Sequence, residues 1–159
     1  MSVAFRRDGD EEHLEPKFAI PIPAGPNLVT PRGQRQIDGR VAELEAALAS
    51  AFAAAADETA TAAINRDLRY WQQRQMTAQI PPPPAGDTVE FGTAVTFALN
   101  GKESTMAIVG TDEADARHGL MSFTAPIARA LAGAQAGDRV AFNGREDAIE
   151  VLAVAVAAG

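Results

Sequence analysis

The chain reads as an α+β protein: an N-terminal antiparallel helical hairpin of coiled-coil type, followed by a small antiparallel sheet domain with one short helix. Three observations predict this. Apolar residues recur from Ile37 through Val41, Leu44, Leu48 and Ala51 to Ala55 at the alternating four- and three-residue spacing of a helical seam. Composition changes across Pro81-Pro82-Pro83-Pro84, with no glycine between Gly39 and Gly86 and one every few residues afterwards. Two Asn-Gly pairs, at 100–101 and 143–144, lie between runs of β-formers, a strong signal for two-residue hairpins.

Residues 1–29 hold an acidic run, Asp8 to Glu12, and four prolines, at 16, 21, 23 and 26. Phe5, Leu14, Phe18 and Ile20 are too scattered for a core, so an extended tail is expected, pinned to the body near Phe18 to Ile22. Thr30-Pro31 starts the first helix: threonine caps free N–H groups, and proline suits the first helical position. Ile64, Leu68 and Trp71 supply a second stripe for the seam.

A cluster of weak helix formers and a good N-cap, Asp57-Glu58-Thr59-Ala60-Thr61, marks the turn between the arms. No glycine or proline forces it. One unbroken helix of about 45 residues would be roughly 70 Å long and would leave its stripe exposed, which favours a hairpin or a dimer. Arg66, Arg69 and Arg74 on the second arm read as its wet face, or as a face towards nucleic acid or acidic walls.

The proline run ends the hairpin and forms a stiff linker over 81–87; a proline-rich ligand for a recognition module is the other reading. In the domain at 88–159, strands are expected over Val89 to Leu99, Glu103 to Val109, Leu120 to Thr124, Arg139 to Phe142 and Ala148 to Val156. Pro126 starts a helix over Ile127 to Ala132, which Gly133 and Gly137 stop.

The chain has no cysteine, which excludes disulfides and thiolate chemistry, and His13 and His118 fall in no metal-ligand spacing. No stretch approaches the roughly 20 apolar residues of a membrane span, and no apolar signal core follows Arg6-Arg7, so a cytoplasmic protein with no membrane partner is expected. The net charge is −7, and residues 81–159 hold ten acids against five bases. That argues against a duplex-DNA reader and for a protein partner.

Ile108-Val109-Gly110-Thr111-Asp112-Glu113-Ala114-Asp115, followed in order by Ala125-Pro126-Ile127-Ala128-Arg129-Ala130-Leu131-Ala132-Gly133 and Gly137-Asp138, resembles the C-terminal domain of the Gre (GreA/GreB) transcription elongation factors. Their signature runs as an IVG-x-DEAD segment, a strand, then SPIARAL-x-G-x-x-x-GD. The resemblance spans Val89 to Val154 strongly and the helical region more loosely. It implies an FKBP-like fold for the domain and bacterial RNA polymerase as the partner, with the hairpin in the secondary channel and nascent RNA and DNA contacted only indirectly.

The resemblance also implies site residues. Tip acids in the family help hold the second Mg²⁺ of the polymerase active site and polarise a water for cleavage of backtracked RNA; here the only acids at the expected tip are Asp57 and Glu58. They depart from the family's D-x-x-E spacing, and Asp57 as a helix cap with Glu58 complementing the dipole is the alternative. The implied docking surface comprises Asp112, Glu113, Ser122, Thr124, Ala125, Pro126, Ile127 and Arg129, with Thr124 and Ala125 standing where an acid or serine is common. Asp112, Glu113 and Asp115 also fit a solvated turn.

A monomer that is not itself an enzyme, with no cofactor beyond the polymerase's Mg²⁺, is therefore expected. The rivals are a channel-occupying, short-hairpin (Rnk-like) regulator without cleavage stimulation, a coiled-coil adaptor or dimer, and a prolyl isomerase.

Overall fold

The computed structural model describes residues 19–158. The acidic run, His13 and the proposed pin at Phe18 lie outside those residues. The described elements are β1 (Asn27–Leu28), α1 (Pro31–Ala53), α2 (Glu58–Thr77), β2 (Ala78–Gln79), β3 (Thr93–Leu99), β4 (Lys102–Val109), β5 (Leu120–Ser122), α3 (Pro126–Leu131), β6 (Arg139–Phe142) and β7 (Arg145–Val156). Their backbone contacts divide them into two compact units. One contains residues 36–77; the other contains Asn27–Arg35 together with Ala78 onward.

In the first unit, α1 and α2 run antiparallel. Gln75 donates to Asp38 at 2.9 Å, and the Arg40 guanidinium lies 5.6 Å from the Trp71 ring centre, so paired positions have nearly constant index sums. Val41, Leu44 and Leu68 are buried between the arms, with Leu48, Ile64 and Trp71 packed against them, as the seam spacing predicts. Arg74 departs from expectation: it is 3% exposed, so the basic set is not a uniformly wet face.

The second unit is built on a five-stranded sheet in the order β5-β4-β3-β7-β6. It is mixed, not wholly antiparallel, because β5 pairs parallel with β4 through Ala107↔Leu120 to Val109↔Ser122. The long link from β4, with its two 3₁₀ turns at Thr111–Glu113 and Ala116–His118, gives the chain room to return in the same direction. Both Asn-Gly pairs form the expected turns: Asn100 and Gly101 have φ of 55° and 77°, Asn143 and Gly144 of 53° and 77°.

Strand β3 shows period-two burial, with Thr93, Val95 and Phe97 on the core face. Buried Thr93 keeps its hydroxyl satisfied by donating to the Glu90 carbonyl at 2.7 Å. Ile108, Met121, Ile149 and Val151 complete the sheet's contribution, and α3 adds Ala128 and Leu131, one turn apart on one face. Strand β7 carries two irregularities. Val151 and Ala153 pair with consecutive β3 residues, which turns Leu152 outwards, and Asp147 at φ 54° bulges between the Arg145 and Ile149 pairings with β6. The second bulge explains why the strand begins three residues before Ala148.

The second unit also holds a two-stranded parallel pair, β1 with β2, registered Asn27↔Ala78 and Leu28↔Gln79. Gly110 lies against it. A Cβ at position 110 would overlap the Leu28 carbonyl oxygen, so glycine is required for this close approach.

Candidate functional site

The expected site residues fall in two places, one in each unit. At the hairpin turn, α1 ends in a Schellman arrangement: Ala56 N–H donates to the Ala51 carbonyl at 2.9 Å and Ala55 N–H to the Phe52 carbonyl at 3.1 Å. Ala55 takes the left-handed position, φ 52°, that glycine usually fills. Asp57 then caps α2, its Oδ1 accepting from Ala60 N–H at 2.9 Å. Glu58 occupies the first turn, where a negative charge complements the helix dipole. Both acids are exposed.

The tip around them is apolar. Phe52 is 66% exposed, and a surface cavity of about 350 Å³ is lined by Ala51, Phe52, Ala55, Ala56 and Ala62 with Glu58, Thr61 and Asn65. Asp57 and Glu58 are thus two neighbouring carboxylates on an alanine-rich knob, one of them with an oxygen committed to the helix cap. No group of three or more His, Asp or Glu side chains able to hold a metal occurs among the described residues.

In the second unit, Ser122, Thr124, Ala125, Pro126, Ile127 and Arg129 form one continuous surface segment from the end of β5 into α3. The Ser122 hydroxyl lies 2.7 Å from that of Thr124 and 3.3 Å from that of Thr111, and it accepts from Thr124 N–H at 3.1 Å. These bonds fix the turn before the helix. Pro126 occupies the N-terminal turn of α3 and is exposed. Ala125 and Ile127 are half-buried and pack on the core, which holds the segment rigidly. Arg129 is exposed, and its guanidinium has no partner among the described residues.

The other two expected docking acids behave differently from this segment. Asp112 is half-buried in the first 3₁₀ turn. Glu113 is buried, with a side chain only 4% exposed, and is not presented at the surface. Its carboxylate accepts from Thr30 Oγ1 at 2.6 Å and from Arg32 Nε at 2.8 Å. Thr30 Oγ1 in turn accepts from Gly33 N–H at 2.9 Å, the expected N-cap of α1. Glu113 therefore sits at a helix N-terminus, where free N–H groups and the dipole favour an anion.

Gly33 is part of the same fit, since a Cβ there would come within 2.8 Å of Glu113 Oε1. Thr30, Arg32 and Gly33 were absent from the sequence-based site. The available signal was a glycine in the first turn of a strong helical pattern, where propensity opposes it.

Asp115 is also no simple solvated turn. It caps the second 3₁₀ turn through Arg117 N–H at 3.1 Å, and His118 Nδ1 lies 2.7 Å from its Oδ2. The bond to His118 holds its carboxyl below the usual aspartate range.

Comparison with known proteins finds sequence relatives of the C-terminal part of the chain. Residues 83–157 match the family described as transcription elongation factor, GreA/GreB, C-term. The chain is 39% identical over 98 residues to transcription elongation factor GreB of Neisseria meningitidis, covering 57% of this chain and 60% of that protein. It is 48% identical over 58 residues to transcription elongation factor GreA of Rhodopseudomonas palustris, covering 35% and 37%. The chain thus spans less than two thirds of the length of these relatives. A solved transcription elongation factor GreA/GreB from Nitrosomonas europaea covers 81% of this chain and 98% of its own at 18% identity and a TM-score of 0.38. The domain at residues 83–157 thus matches the C-terminal domain of the GreA/GreB transcription elongation factors.

Proposed function

We propose that this protein regulates transcription elongation by binding bacterial RNA polymerase, docking through the segment from Ser122 to Arg129 and inserting the helical hairpin in the secondary channel. The observation that carries the reading is the continuity of that segment: a hydroxyl-braced turn, an exposed proline and an unpaired arginine on a rigid support, within the part of the chain that matches the family. Rigid backing lowers the ordering cost of binding.

Two readings of the tip remain, and one observation separates them. Two carboxylates are enough protein ligands for Mg²⁺, which commonly takes one or two carboxylates with substrate oxygens and water, and bound Mg²⁺ would polarise a water for phosphodiester hydrolysis. Asp57 and Glu58 are of the right chemistry, but Asp57 is engaged as the α2 cap and the surrounding knob is apolar. This favours occupation of the channel without cleavage stimulation.

The test is RNA cleavage in a stalled, backtracked elongation complex, with wild type beside Asp57→Ala/Glu58→Ala and a binding assay in parallel. Binding without cleavage supports the occupying regulator. Cleavage that requires the two acids makes the protein an active cleavage factor, and absence of binding overturns the polymerase assignment.

A further inference from the structure

We infer that Asn143 is a site of spontaneous modification, converting to aspartate and isoaspartate in the folded protein well ahead of Asn100, although both precede glycine in turns of the same type. The chemistry needs no enzyme or oxidant. The backbone nitrogen of the following glycine attacks the Asn Cγ, a C–N bond forms as ammonia leaves, and the resulting succinimide takes up water at either carbonyl. Opening at one carbonyl restores the ordinary backbone as aspartate; opening at the other leaves the main chain running through the side-chain carbon.

Glycine lacks a Cβ, so its nitrogen is approached without hindrance. Sequence makes the two pairs equivalent, and three structural features separate them. First, Arg145 donates to Asn100 Oδ1 at 3.1 Å, restraining the side chain that must swing back over its own peptide. Asn143 is exposed, and its amide has no partner among the described residues.

Second, the ladders behind the turns differ. The Asn100 turn is closed by six consecutive pairs, from Leu99↔Lys102 to Ala94↔Ala107. The Asn143 turn is closed by Phe142↔Arg145, and the register then breaks at the bulge containing Asp147. Third, β3 is paired on both sides up to the Asn100 turn, with Leu99 facing both Lys102 and Ile149, whereas β6 is an edge strand held by β7 alone. Local opening, which frees the backbone for attack, is cheapest at such an edge.

Isoaspartate at 143 lengthens the backbone inside a two-residue turn and adds a negative charge. The turn geometry that sets the register of β6 is then lost, and with it the packing of half-buried Val140 and Phe142 on the core.

The experiment is incubation of the intact chain at neutral pH and 37 °C, in parallel with chain held in denaturant, followed by trypsin digestion and mass spectrometry with isoaspartate-resolving chromatography. Cleavage after Arg139 and Arg145 isolates Asn143, and cleavage after Arg74 and Lys102 isolates Asn100. The expected result is conversion at Asn143 at least about tenfold faster than at Asn100 in the folded chain, with the two rates converging in denaturant. Arg145→Ala should raise the Asn100 rate in the folded chain. Equal rates in the folded chain, or no conversion at Asn143 while the denatured chain reacts, would overturn the inference.

Discussion

The Thr30 hydroxyl donates to Glu113 at 2.6 Å across 83 positions of sequence, tying the first turn of α1 to the loop after β4. Glu113 is the better-buried partner, so its removal strands Thr30 and Arg32 at once. Glu113→Ala should cost about 2–3 kcal/mol, because a charge-assisted bond is lost and a buried site is left unfilled. Glu113→Gln, which still accepts from Thr30, should cost less. Arg32→Ala should cost under about 1 kcal/mol because that side chain is half in water. Urea unfolding of the three variants checks the order.

Ala55 offers a gain instead of a loss. A non-glycine residue in the left-handed region costs about 1–2 kcal/mol, and glycine at the same place loses part of that advantage through its freer unfolded chain. Ala55→Gly should therefore stabilise the hairpin by about 0.5–1 kcal/mol, read as a higher midpoint in helix-monitored melting. Asp57→Ala, which removes the cap of α2, should lower stability by about 1 kcal/mol.

Gly110 passes directly beneath the Leu28 carbonyl, where the Cβ of alanine has nowhere to go. Gly110→Ala should destabilise the protein by more than about 2 kcal/mol or separate β1 from its place. Loss of amide-exchange protection at Val29, whose N–H donates to the Gln79 carbonyl, would report the second outcome.

The Asp115–His118 pair predicts a pH dependence with a definite sign. Because the folded carboxyl titrates below its ordinary value of 3.8, the ionised Asp115 carboxylate favours the fold above that value, and its contribution is lost as pH falls through the lowered one. His118→Ala should move the Asp115 midpoint upwards, towards 3.8, in a carboxylate NMR titration. A midpoint that stayed put would shift the cause to the Arg117 N–H.

On the proposed function, Arg129→Ala should weaken polymerase binding by about tenfold with little effect on stability, since its guanidinium forms no hydrogen bond or ion pair among the described residues. Equal loss of folding stability and binding would mean that the residue supports the fold and does not touch the partner.

The sequence showed the seam because helical periodicity repeats over several turns, and Val41, Leu44 and Leu68 bury where that repeat puts them. It showed both Asn-Gly turns because their backbone demands are local. It did not show how the α1–α2 turn closes, since the left-handed position fell to an alanine, which carries no turn signal. It did not show Glu113's role either. Whether an acid faces water or a helix start 83 residues away is decided by tertiary placement, and within its own segment Glu113 looks no different from Asp112. The direction of β5 was missed for the same reason: a three-residue strand carries no mark of which way its neighbour runs.

Strands β1 and β2 lie side by side and parallel, so the hairpin is the crossover between them. The chain leaves the C-terminal unit and returns to it at adjacent positions, and nothing in that ladder counts the residues spent in between. Equal additions to both arms would keep Asp38 facing Gln75 and Arg40 facing Trp71, and would leave Glu113 and the sheet as they are. Arm length is thus a free dimension, a ruler adjustable in increments of about 5.4 Å per helical turn. Arms of a different length can arise by matched insertion alone, while the domain that carries them stays constant.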